Sequence, residues 1–116
     1  MKAYTDLEQS KKLAEMLPIE SADMYYDYDV QKHEYYPMIM DEQFDDMCVR
    51  CWSLAALLDV LPNKLQIALA INDFQGDRKE KYAIGSVEHD KYDCFADNSV
   101  DACYEMIIKL HEQNLL

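Results

Sequence analysis

The chain predicts an α+β domain with helices at both ends and an antiparallel sheet of three or four strands between them. Three observations carry this expectation. Apolar residues recur at helical spacing after Thr5 and again after Asn98. Between those runs they alternate with period two, over Ala22–Val30 and over Leu65–Ile71. Proline and glycine, at Pro18, Pro62 and Gly76, punctuate the boundaries. About three helices are expected, packed mainly on one face of the sheet. The 116 residues fit one domain, 1–116.

The first helix has a capping signature in Thr5-Asp6-Leu7-Glu8, where the Thr5 hydroxyl would accept from the Glu8 amide and the Glu8 carboxylate would reach back to Thr5. Leu7, Ala14 and Leu17 follow at helical spacing, widened by Leu13 and Met16. Glu8–Lys12 and Lys11–Glu15 are i,i+4 pairs on the other face, and Pro18 ends the helix. Ala22, Met24, Tyr26, Tyr28 and Val30 then alternate with Asp23, Tyr25, Asp27 and Asp29. That pattern predicts a half-buried strand with an acidic outer face. Gln31–Tyr36 reads as a turn or loop, and Pro37 confines any following strand to a sheet edge.

Phe44, Met47, Cys48, Cys51 and Trp52 return to three- and four-residue spacing. This fits one helix running from near Asp41 into the Trp52 block, or two short helices meeting there. The Cys51–Pro62 block holds the only tryptophan and has almost no polar face, so it reads as a short helix buried on nearly all sides. Pro62-Asn63 stops it. Leu65, Ile67, Leu69 and Ile71 alternate strictly with Gln66, Ala68, Ala70 and Asn72, the clearest strand in the chain. After a polar connection over Asn72–Lys79, Tyr82–Val87 and Tyr92–Phe95 read as two further strands joined through Glu88-His89-Asp90. Gly85 weakens the first of these and marks a bulge or a close approach. Asn98 caps the last helix, with Asp101 at its third position favourable to the dipole. Cys103, Met106, Ile107 and Leu110 form its inward stripe, broadened by Tyr104, Ile108 and Leu115.

Half the residues are hydrophobic, enough for a packed core. No apolar run approaches the ~20 residues needed to cross a bilayer. The first residues, among them Lys2, Thr5, Asp6 and Glu8, form no apolar signal-peptide core. A cytoplasmic protein with four reduced thiols is the expectation. The chain carries 23 acidic and 11 basic residues, a net charge of −12. Such a surface repels phosphate backbones and disfavours direct nucleic-acid binding. The acidity is local: nine acids and one base, Lys32, lie between Glu20 and Asp46, two-thirds of the excess.

Few motifs carry chemistry. Cys48-Val49-Arg50-Cys51 is a C-x-x-C, but Cys94 and Cys103 lack the spacing of a second zinc knuckle. No strand leads into it as in a thioredoxin-like unit, so small core or helix-edge thiols are the simpler reading. His33, His89 and His111 form no H-E-x-x-H pair, and a nucleophile elbow or glycine-rich phosphate loop is missing. Asp41-Glu42 and Asp45-Asp46 lack the glycine and glutamate of a calcium loop. No catalytic residue, metal ligand or cofactor is therefore assigned. Between Met24 and Met40, five tyrosines sit among acids in a stretch with one lysine, a composition enriched at protein interfaces. Tyr25, Asp27, Asp29, Tyr35 and Tyr36 are the candidate partner-binding residues. The competing account puts Tyr26 and Tyr28 in the core and leaves Tyr25, Tyr35 and Tyr36 covering a loop.

Four blocks carry a family resemblance: Lys2–Leu7, Glu20–Met24, Cys51–Pro62 and Asp101–Glu112. Together they resemble a set of small proteins, without assigned activity, encoded by Bacteroidales bacteria and their phages or mobile elements. The resemblance implies a bacterial or phage accessory protein and carries over no catalytic residues. A non-catalytic protein that binds a protein partner is the leading expectation. The alternatives are an inhibitor that mimics nucleic-acid charge against a DNA-binding protein, and a metal or redox protein centred on Cys48 and Cys51.

Overall fold

The computed structural model describes residues 2–71, 79–86 and 94–116. The first helix, α1, spans Leu7–Ala14, and its cap is Asp6 rather than Thr5. The Asp6 carboxylate accepts from the Gln9 amide at 2.8 Å, and the Gln9 side chain accepts from the Asp6 amide at 3.1 Å. Thr5 is unavailable for capping because the core takes it. Its amide donates to the Trp52 carbonyl at 2.9 Å, and its hydroxyl accepts from the Trp52 amide at 3.1 Å and lies 2.8 Å from the Ser10 hydroxyl. The N-terminal segment thus runs antiparallel beside residues 52–54, with Tyr4 bridging Ser53. At the other end of α1 the Arg50 guanidinium donates to the carbonyls of Ala14 and Leu17, at 2.8 and 3.1 Å. The Ala14 carbonyl is one of the last of the helix, where intrahelical amides run out, and Leu17 lies three residues beyond it.

Strands β1 (Met24–Asp29), β2 (Glu34–Ile39) and β3 (Val49–Cys51) form one antiparallel sheet in the order β2-β1-β3. Strands β4 (Ile67–Ile71), β5 (Tyr82–Ser86) and β6 (Cys94–Ala96) form a second, in the order β4-β5-β6. Helices α2 (Leu54–Val60) and α3 (Ser99–Glu112) complete the described elements, with 3-10 turns at Ile19–Ser21 and Asn63–Leu65. The α+β class stands, and the strands divide between two sheets of three rather than one of three or four. The division falls where Ser53 ends the first sheet. Its hydroxyl accepts from the Ala56 amide and caps α2, turning the chain out of the strand direction. The Asp23 carboxylate holds Ser53 there, accepting from both its amide and its hydroxyl.

Three local expectations are corrected. Residues 41–48 form turns, not a helix, because the Asp41 carboxylate accepts from the Gln43 amide and the Asp45 carboxylate from the Met47 amide, both within 2.9 Å. Such side-chain bonds occupy amides that a helix would use. Tyr35 and Tyr36 lie in β2 rather than in a loop, the turn being confined to the residues between Asp29 and Glu34. The Cys51–Pro62 block is a strand end and a seven-residue helix that exposes Ala55, Leu58 and Asp59, not a helix buried all round.

Trp52 lies between β3 and α2 and is fully buried. Its indole N–H donates to the Ser21 hydroxyl at 3.0 Å, and the Arg50 guanidinium sits 5.9 Å from its ring. Around it Leu13, Leu57, Ile84 and the α3 residues Val100, Cys103, Met106, Ile107 and Leu110 form one cluster. The inward stripe and Asn98 cap of α3 are as expected, with the Asp101 amide donating to Asn98 at 2.8 Å. Gly85 pairs in regular register with Ala68. Val87, Tyr92, the Glu88-His89-Asp90 link and residues 72–78 lie outside the described residues. Among the described residues no helix is long and apolar enough to cross a membrane.

Candidate interaction surface

Strand β3 pairs with β1 only over Met24–Tyr26, whereas β2 pairs along all of β1. Asp27–Asp29 and Glu34–Tyr36 therefore extend beyond the sheet as a two-stranded arm. At its base both faces of β1 are covered. Successive residues of a strand point to opposite faces, yet Tyr25 and Tyr26 are both buried. On one face the Tyr26 hydroxyl donates to the Thr5 carbonyl at 2.7 Å, and the ring lies 6.4 Å from that of Tyr4. On the other the Tyr25 hydroxyl donates to Asp41 at 2.6 Å, with its ring edge-on to Phe44 at 5.5 Å.

Beyond this cover the same residue type is exposed. Tyr28, Tyr35 and Tyr36 show 41%, 37% and 39% of their surface to solvent. Opposite residues of an antiparallel pair share a face, so Tyr28 and Tyr35 lie on one face and Asp27 and Tyr36 on the other. The Tyr28 and Tyr35 rings are 5.0 Å apart, and the Lys11 ammonium lies 6.0 Å from Tyr35. On the opposite face the Tyr36 hydroxyl donates to Asp27 at 3.2 Å. Partial burial, then the Asp27 carboxylate, raises the Tyr36 hydroxyl above its ordinary pKa. Asp29 shapes the turn, accepting from the amides of Gln31 and Lys32 at 2.9 and 3.2 Å. A cleft of about 380 Å³ runs along the arm, lined by Asp27, Tyr28, Val30, Tyr35, Asp45 and Met47. Val30 and Met47 are largely exposed.

Four of the five sequence-predicted residues, Asp27, Asp29, Tyr35 and Tyr36, come together on the arm. The fifth, Tyr25, is buried at its base and is corrected to a packing residue. Tyr28, expected to face the core, takes its place at the surface. Periodicity placed it inward correctly as to face but carries no sign of where the covering layer stops. Met47 and Val30 were also missed, since an isolated apolar residue in an acidic stretch has no pattern of its own.

The outer edge of β2 is interrupted for strand addition at Pro37. The Met40 amide donates to the Asp23 carbonyl at 3.0 Å, which sets the phase of the ladder so that Tyr35, Pro37 and Ile39 present their backbone outward. Pro37 has no amide hydrogen to offer there.

The C-x-x-C cysteines are not arranged for joint chemistry. They stand three residues apart at the two ends of a nearly extended segment, roughly 10 Å at about 3.3 Å per residue. Cys48 faces Asp27 and Asp45 at 3.8 and 3.5 Å, and burial followed by those carboxylates raises its thiol pKa. The Cys51 thiol donates to the Thr5 carbonyl at 3.4 Å, and burial raises its pKa against hydrogen bonds that favour the thiolate. Raised pKa values oppose the thiolate that metal binding and redox exchange require. Among the described residues no group of three or more His, Cys, Asp or Glu stands close enough to hold a metal ion. His33 sits in the arm's turn, His111 is exposed on α3, and His89 lies outside the described residues. Comparison with protein-family models, curated proteins and solved structures finds no match.

Proposed function

We propose that the protein is a non-catalytic binding module of the cytoplasm, and that it engages a basic or mixed-charge protein surface through the β1–β2 arm. One observation carries the reading: three tyrosines are exposed on both faces of a projecting two-stranded arm, while the tyrosines at its base are buried. Tyrosine supplies broad contact area at low cost in side-chain freedom and is enriched at interface cores. Asp27, Asp29 and Glu34 stand beside those rings, and acids there favour a basic partner and speed its approach at low salt. The cleft beside Tyr28 and Tyr35 is also lined by two exposed apolar side chains, Val30 and Met47.

Affinity capture from a bacterial lysate, followed by binding of the purified partner, tests the proposal. The triple variant Tyr28→Ala/Tyr35→Ala/Tyr36→Ala should lose the partner, and wild-type binding should weaken as salt rises. These residues are exposed, so each single change should cost less than about 1 kcal/mol of stability. Equal binding by wild type and the triple variant overturns the proposal. Displacement of the captured partner by duplex DNA would favour the charge-mimicking alternative.

A further inference from the structure

The three-stranded sheets end in unequal edges. The outer edge of β2 carries Pro37, β3 lies beside α1, and β6 is three residues long. Short strands, prolines and covering helices are the usual devices that keep sheet edges from pairing. Among the described residues, strand β4 has none of them at its outer edge. It is the outermost strand of its sheet, and its sequence, Ile67-Ala68-Leu69-Ala70-Ile71, contains no proline. No charged residue occurs from Leu65 to Asn72, although the whole chain carries a net charge of −12. Among the described residues no strand pairs with its outer side. Ile71, at its end, leaves 69% of its surface exposed.

The sequence of this edge is a palindrome about Leu69. We infer that β4 pairs antiparallel with β4 of a second copy of this chain about a two-fold axis at Leu69. In that register Ile67 stands opposite Ile71 of the second copy, Leu69 opposite its own equivalent, and Ala68 opposite Ala70. Antiparallel ladders have two-fold axes at both their hydrogen-bonded and their non-hydrogen-bonded pairs, so the symmetry holds in either phase. Every cross-strand pair matches in size and polarity. Ile67 and Leu69 lie against the core, and Ala68 and Ala70 are exposed on the opposite face. The two-fold axis is perpendicular to the sheet and keeps these faces aligned. The apolar faces become continuous, and Ile71 gains an isoleucine about 5 Å away. The alanines opposite them obstruct nothing. An isologous contact of this kind closes at two copies.

A second copy supplies the matching order of side chains in full, because the palindrome reads the same in the reverse direction. Net charge on the two copies opposes the association, so added salt strengthens it. The arm's contact with a basic partner has the opposite salt dependence, which keeps the two surfaces distinguishable.

Sedimentation of the full chain tests the inference. Wild type should pass reversibly from 13.6 kDa to twice that mass as concentration rises, more readily at higher salt. Ala68→Lys with Ala70→Lys places lysines opposite each other across the axis at two exposed positions, and should weaken dimerisation by roughly tenfold or more. Ala68→Lys with Ala70→Glu places lysine opposite glutamate and should restore it. Hydrogen exchange on the unmodified chain gives an independent reading, with amides of residues 67–71 gaining protection as concentration rises. A wild type that stays monomeric, a dimer indifferent to the double-lysine change, or open-ended fibres would each overturn the inference.

Discussion

The Tyr25 hydroxyl donates to the Asp41 carboxylate at 2.6 Å and ties the 41–48 turns to the base of the β1–β2 arm. That hydrogen bond, then burial, then the charges of Asp41 and Asp27 raise the Tyr25 pKa above the ordinary tyrosine value. Burial, followed by neighbouring polar groups, raises Tyr26 as well. A phenol whose pKa is higher folded than unfolded contributes stability that is complete below the unfolded value of about 10. That contribution is lost as pH rises toward the folded value. Denaturant melts should therefore show stability falling above about pH 10. Tyr25→Phe should make that decline shallower, and an unchanged alkaline limb would contradict the assignment.

Trp52 is the largest fully buried side chain and joins the N-terminal segment to the α2–α3 layer. Trp52→Ala should cost about 3–5 kcal/mol, through lost apolar burial and the cavity left behind. Ser21→Ala leaves the indole N–H without its acceptor and should cost about 1–2 kcal/mol. A loss below about 1 kcal/mol for Trp52→Ala would mean that the ring is not a core residue.

The two residues at the start of α1 have different energetic roles. Asp6→Ala removes an exposed cap and should cost about 1 kcal/mol. Thr5→Ala removes a buried hydroxyl that serves the Trp52 amide and the Ser10 hydroxyl, and should cost about 2 kcal/mol or more. Equilibrium denaturation of the two variants side by side checks the order. The reverse order would restore Thr5 as the cap.

Thiol reactivity should divide by burial. Cys51 and Cys103 are fully buried, and burial pushes the Cys103 thiol up to about 11. Both should react with a thiol reagent only as fast as the chain opens. Cys48, partly exposed, should react in the folded state but more slowly than an unhindered cysteine. Titration with and without denaturant, followed by mass mapping, separates the classes.

Local pattern sufficed where one element answers to one environment. Helix α3 has a polar cap, a dipole-compatible Asp101 and an apolar stripe against a single core, so spacing alone located it within a residue or two. Strand β4 follows the same logic, its alternation reporting one covered face. Pro37 announced an edge strand because a missing amide is a local property. The stretch from Asp41 to Trp52 was illegible for the opposite reason. Its helical spacing of apolar residues competes with aspartates that bond to nearby amides, and the outcome depends on whether β1 offers a partner for β3.

The same division runs through the candidate surface. Composition and spacing alone concentrate acids and tyrosines between Glu20 and Asp46, give β1 its alternation, and confine any strand through Pro37 to a sheet edge. Which tyrosines meet solvent is set by tertiary packing. Tyr25 and Tyr26 are buried because the 41–48 turns and the N-terminal segment cover the two faces of β1. Tyr28, Tyr35 and Tyr36 are exposed because that cover stops short of the arm. Alternation encodes which face a side chain takes, whereas burial depends on what other chain segments lie over that face.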